Sequence, residues 1–181
     1  MNILITGLIT GSMLALLAIG FSLIFGVARI VNIAHTAFYM IAAYGIYYLS
    51  VKLGFGPVPA MLVSVAVVVV LGLLAYRFLI DPIRDHEAAV LIATIALAMI
   101  MQEAMLLIFT GDYLTVSALI EGYFLIAGVK VFYQQVLTFG VVLAILVVLW
   151  FLLMKTRLGL AIRSTAEDRE VANLMGMNES R

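Results

Sequence analysis

The residues able to do chemistry in this sequence fall in four places. Glu103, next to Gln102, interrupts a long apolar run. A carboxylate there must be protonated, paired or held in a wet cavity, so it is a candidate for a transport path as much as for a structural hydrogen bond. Arg29, Asn32 and His35 are spaced by three and share one face if their segment is helical. They read either as a charged turn at a membrane surface or, through Asn32 and His35, as a gate. Asp81, Arg84, Asp85, His86 and Glu87 gather around Pro82, as in an ordinary polar turn. Finally, Ser164 stands three residues before Glu167, and Asp168, Glu170 and Gly176 follow.

That last group has the form of a short helix. Ser164 with Glu167 is a capping-box pattern, the acidic residues suit the positive end of a helix dipole, and Gly176 is a C-terminal stop. The expected helix over 164–176 has about three turns. Val171, Leu174 and Met175 form a narrow apolar stripe along it. A helix this short is marginal alone in water, so it must pack on the membrane, on its own chain or in a partner's groove.

The elements that carry these groups are set by composition. Of 181 residues, 66% are hydrophobic and 11% charged, against about half and about a quarter in soluble domains. The mean hydropathy is +1.24. The bilayer is therefore the main partner. Ten basic and ten acidic residues balance to zero, which gives no electrostatic footprint for nucleic acid. There is no Cys, which removes thiol chemistry, disulfides and Cys-based metal sites. A lone His35 without a second ligand at suitable spacing does not support a metal. Zinc-protease, nucleophile-elbow, P-loop and dinucleotide motifs are all missing. No catalytic residue or cofactor is expected in the chain, and any ATP hydrolysis belongs to another polypeptide.

A helix needs about 20 apolar residues to cross the hydrocarbon core. Gaps between charges supply five such stretches, 1–28, 30–51, 53–76, 88–110 and 131–154. The expected fold class is an all-α, polytopic bundle of about five spans over 1–154, followed by a cytoplasmic segment over 155–181. Residues 1–28 carry no basic residue and lack the pattern of a cleaved signal, so they are expected to stay as a span. Gly7, Gly11 and Ala15 place small residues at helical spacing in this span, as helix-packing positions do. The aromatic stretch 111–130 is expected at headgroup level. With five crossings and a cytoplasmic C-terminal segment, Arg29, Arg77, Arg84, Lys155, Arg157, Arg163, Arg169 and Arg181 lie inside and only Lys52 and Lys130 outside. That asymmetry puts the N-terminus outside.

Several segments together resemble the permease subunits of bacterial branched-chain amino acid ABC importers. The resemblance is carried by the run from Gly11 to Gly20, by Phe25-Gly26, by Val31-Asn32-Ile33-Ala34-His35, by the run from Met40 to Tyr44, and by Thr156-Arg157-Leu158-Gly159 running on to Asn178. Thr36 stands where the family pattern has Gly after His. The resemblance implies that Glu170, Ala172 and Gly176 match the family's Glu-x-Ala-x-x-x-Gly core. With Arg163, Glu167 and Asp168 they would form the element that couples to a cytoplasmic ABC ATPase. It also implies a second permease subunit, an extracytoplasmic solute-binding protein, a bacterial or archaeal cytoplasmic membrane, and further spans beyond Arg181. Substrates of the family include branched-chain amino acids and, in related permeases, urea or short amides. The alternative from another class is a membrane assembly protein that transports nothing.

Overall fold

The computed structural model describes residues 2–28, 30–111, 113–126 and 129–167. Six α-helices and one two-stranded hairpin account for most of these residues. The chain divides into two compact units, one made of Met1–Arg29 with Ile120–Arg181 and the other of Ile30–Leu119.

In the first unit, α1 (Asn2–Ala28) and α5 (Tyr133–Lys155) are long apolar helices that pack on each other, and the short α6 (Arg157–Glu167) contacts both. The outward face of α5 is apolar, with Val147, Val148, Trp150 and Phe151 all exposed. Lipid must replace the missing core there. Before α5 stands an antiparallel hairpin, β1 (Tyr123–Ile126) and β2 (Val129–Phe132), with Tyr123 opposite Phe132 and Leu125 opposite Lys130. The Tyr123 and Phe132 rings meet edge to face at 6.1 Å, and the Lys130 ammonium lies 4.8 Å from the Tyr123 ring centre. Such cross-strand aromatic and cation–π pairs are what a lone hairpin needs. Gly122 has φ +115°, and a Cβ there would lie 2.8 Å from the Tyr133 ring, so only glycine fits this turn. The expected surface stretch 111–130 thus holds β1 and the first half of β2, whose second half takes the first two residues of the expected span 131–154.

The second unit is a three-helix bundle of α2 (His35–Tyr47), α3 (Pro57–Ala75) and α4 (Glu87–Phe109). Single π-helical turns, Tyr48–Lys52 and Tyr76–Ile80, extend α2 and α3. The polar turn around Pro82 contains a 3₁₀ turn, Asp81–Ile83, with an exposed Arg84–Asp81 ion pair at 3.4 Å, in keeping with an ordinary turn. The core is built from small residues. Ala34, Ala37, Ala60, Ser64, Val90, Thr94 and Ala98 are buried, and Val90, Thr94 and Ala98 recur every four residues on one face of α4. Gly45 of α2 approaches Ser64 of α3 so closely that an added Cβ would lie 2.8 Å from the Ser64 hydroxyl. Small residues allow such approaches where helices associate by packing and not by exclusion of water. At the other end of α4, Phe109 stacks on Tyr44 at 4.7 Å and meets Tyr47 and Tyr48 edge on. Ala43, Tyr44, Tyr47, Tyr113, Leu114 and Val116 enclose a groove of about 350 Å³ beside it.

Among the described residues, four helices are long and apolar enough to cross a membrane: Ile3–Gly26, Pro57–Ile83, Glu87–Phe109 and Tyr133–Lys155. The chain is a polytopic helical membrane protein. The expected second span, 30–51, differs from the others. Its helix starts only at His35, because 30–34 is not helical.

Candidate coupling joint and unwound segment

Two sites combine polar side chains with an interruption of helix. The first joins α5 to α6. Helix α5 ends at Lys155, and Thr156 turns to extended backbone, φ −106° and ψ 161°. Its hydroxyl donates to the Leu152 carbonyl at 2.5 Å and accepts the Gly159 N–H at 3.1 Å, while its own carbonyl accepts the Leu160 N–H at 3.1 Å. Thr156 thus closes the last turn of α5 and caps the first turn of α6 with one hydroxyl. Gly159 is buried, and a Cβ added to it would collide with the carbonyl oxygens of Leu152 and Leu153. The helix after the turn therefore leaves α5 at a fixed place.

This overturns the capping box at Ser164. The helix begins at Arg157, more than a turn earlier, and Ser164 lies inside it, donating to the Leu160 carbonyl at 2.9 Å. A threonine already in extended geometry at the end of α5 caps first, which leaves the later serine to bond back one turn. Arg163 reaches back to the Gly159 carbonyl at 3.4 Å and to the Met154 sulfur at 3.7 Å. Glu167 ends α6. Asp168, Glu170, Ala172 and Gly176 lie outside the described residues.

The second site is the unwound segment 30–34. Asn32 takes the Ala34 N–H on its side-chain oxygen at 3.1 Å and the His35 N–H on its carbonyl at 3.4 Å. It thereby does the work of a cap for α2 from outside the helix. Thr94, fully buried on α4, holds the other edge of the segment. Its hydroxyl accepts the Ile33 N–H at 3.3 Å and shares its proton between the carbonyls of Leu91, at 3.1 Å, and Val31, at 3.4 Å. Ala34 and Ala37 pack against Ala98, with Phe38, Leu97 and Met101 around them. Arg29 lies outside the described residues, and Asn32 and His35 do not share a helical face, because the chain between them is a turn. Sequence reasoning missed Thr94. It reads there as one more small residue in an apolar run, and its spacing from Val90 and Ala98 is the only signal.

The other sequence candidates lie apart from these sites. Glu103 and Gln102 are exposed on α4, with no hydrogen bond or ion pair in the described residues. Gly7, Gly11 and Ala15 are exposed on α1, and a Cβ at Gly7 or Gly11 would meet nothing within 4 Å. Among the described residues there is no group of three or more His, Cys, Asp or Glu that could hold a metal ion.

Comparison with known proteins decides what a chain with these features is. The family of branched-chain amino acid transport system permease components matches residues 3–181. The chain belongs to this family. It is 30% identical over 192 residues to the high-affinity branched-chain amino acid transport system permease protein BraD of Pseudomonas aeruginosa. It is also similar to LivH, the corresponding permease protein of Salmonella typhimurium (27% identical over 195 residues) and of Escherichia coli (26% over 189). These matches cover 97–98% of this permease component but only 61–62% of the relatives, so it spans about three-fifths of their length. No solved structure matches significantly.

Proposed function

We propose that this chain is a membrane-spanning permease subunit of an ATP-driven importer for branched-chain or related amino acids. Residues 155–181 would be its cytoplasmic coupling segment, with Arg163, Glu167, Asp168, Glu170, Ala172 and Gly176 facing a separate ABC ATPase. A second permease subunit would complete the path, and an extracytoplasmic solute-binding protein would deliver the substrate. The observation that carries this reading is the joint at Thr156 and Gly159. It fixes a short polar-faced helix against the end of a long apolar one, in a chain of this permease family. Force applied to α6 by a partner passes into α5 without a flexible linker.

The positive charge at the ends of the spans supports a cytoplasmic side that holds the α3–α4 turn and residues 155–181, with the N-terminus outside, in a bacterial or archaeal cytoplasmic membrane. Asn32 and His35, at the start of α2, fit the inner part of a path better than Glu103, which has no hydrogen bond or ion pair among the described residues. The test is crosslinking from Ala172→Cys in this Cys-free chain to the cognate ATPase in membranes holding the assembled transporter. A crosslink whose yield changes with nucleotide is expected. Assembled complexes that give none would overturn the reading.

A further inference from the structure

Helix α2 starts beside the interior of α4 and not beside its end, and one side chain of that helix sets where. Helix α4 has 23 residues, about 34 Å of helix, enough to cross the hydrocarbon core. Thr94 is its eighth residue, so it stands about 10 Å in from the start of that helix. The hydroxyl of Thr94 bonds to Ile33 and Val31, which puts the unwound backbone at the same depth. The other end of α2 agrees with this placement. Tyr44, Tyr47 and Tyr48 surround Phe109, the last residue of α4, so α2 and α4 run in the same direction and finish level. Up to Tyr47, the part that finishes level with Phe109, α2 has 13 residues, about 20 Å against about 34 Å for α4, so its first residue lies well in from the level at which α4 begins.

Unwound backbone at such depth must be satisfied by protein. Asn32 serves the Ala34 and His35 N–H groups from within the segment. Among the described residues only Thr94 ties the segment to another helix by side-chain hydrogen bonds, and it does so from a position of 0% exposure. Replacement of its hydroxyl by a methyl group leaves the Ile33 N–H and the Val31 carbonyl without that partner. The segment then gains by winding onto α2 or by sliding toward water.

We propose that Thr94 is a positioning residue for transport: it keeps 31–33 unwound and so holds Asn32 and His35 within the membrane, where a solute can meet them. This rests on the permease reading for the role of Asn32 and His35, but the depth of the segment does not.

The experiment uses both facts. The chain has no native Cys, and the Ile33 side chain is 37% exposed, so a spin label at Ile33→Cys reports depth from its relative accessibility to oxygen and to a water-soluble nickel chelate. In the reconstituted transporter the label should lie about 10 Å deeper than one at Glu87→Cys, the first residue of α4. Thr94→Val should move it toward the surface, and Thr94→Ser should leave it in place. Uptake of radiolabelled leucine, driven by ATP, should fall about tenfold in otherwise native Thr94→Val and recover in Thr94→Ser. If Thr94→Val does not insert, Thr94→Ala takes its place in both measurements. A label level with Glu87→Cys, or one that does not move when the hydroxyl is removed, overturns the proposal. A label that moves as expected in a transporter that imports no leucine even with Thr94 intact overturns the permease reading for that solute and leaves the positioning by Thr94 standing.

Discussion

The Gly159 N–H donates to the hydroxyl of Thr156 at 3.1 Å, and the same hydroxyl donates to Leu152 at 2.5 Å, so one oxygen links the end of one helix to the start of the next. Two helices joined in this way cannot swing independently unless a bond breaks. The joint should therefore be sensitive to changes that leave the surrounding surfaces untouched.

Gly159→Ala should dislodge α6. Its methyl group would overlap the Leu152 and Leu153 carbonyls, which are held by α5 and cannot step aside as a side-chain tip can. Overpacking of this kind costs about 1–3 kcal/mol. Limited trypsin digestion of membrane-inserted protein should cut faster at Arg157 and Arg163 in the variant, while α5 stays protected. Equal digestion rates would show that the joint accommodates the methyl group.

Thr156→Val and Ser164→Ala should differ. Loss of an N-cap hydroxyl costs about 1 kcal/mol, and Thr156 also serves Leu152. Ser164 only bonds back to Leu160 within the helix, so its loss should stay within about 0.5 kcal/mol. Thermal unfolding in detergent checks the order, and a larger effect at Ser164 would restore the capping box there.

Ser64 is 3% exposed and its hydroxyl has no hydrogen-bond partner among the described residues. An unsatisfied buried hydroxyl costs about 1–3 kcal/mol, so Ser64→Ala should raise the melting temperature. Gly45→Ala alone should lower it by pressing on that hydroxyl, and the double variant should recover much of the loss. The two effects are coupled through one contact and should not add.

Phe109→Ala should destabilise the second unit. It removes contacts with Tyr44, Tyr47 and Tyr48 at once, and because Phe109 is only half-buried the loss should fall below the roughly 3–5 kcal/mol of a fully buried Phe. Phe109→Tyr, which keeps the ring, should remain close to the parent in the same unfolding assay.

The apolar runs made four helices legible. Residues 1–28, 53–76, 88–110 and 131–154 lie within a few residues of α1, α3 with its π turn, α4 and α5. Charge marks their ends, at Glu87 and Lys155, because the bilayer penalises it. The start of α2 was hidden for the opposite reason. Every residue from Ile30 to Ala34 except Asn32 suits a membrane helix, and the three-residue spacing of Arg29, Asn32 and His35 imitates a helical face. What unwinds the segment is a hydroxyl 61 residues away, and no local pattern contains it. The hairpin had a local signal in a stretch expected only to lie at headgroup level. Tyr123, Phe124, Val131 and Phe132 favour strands, and a strand pair is forbidden only where lipid, not water, meets its edges. At α6 the pattern misled, since Ser164 and Glu167 have capping-box spacing while Thr156 has the geometry.

Trp150 is the chain's one indole. It stands 55% exposed on the outward face of α5, with only tyrosines and phenylalanines as other aromatic fluorophores. The protein consequently contains its own optical probe for whatever covers that helix. Emission quenched by brominated lipid acyl chains identifies a boundary with lipid, and emission shielded from them identifies a seam between polypeptides. Assembly can therefore be followed by light at this position without a label.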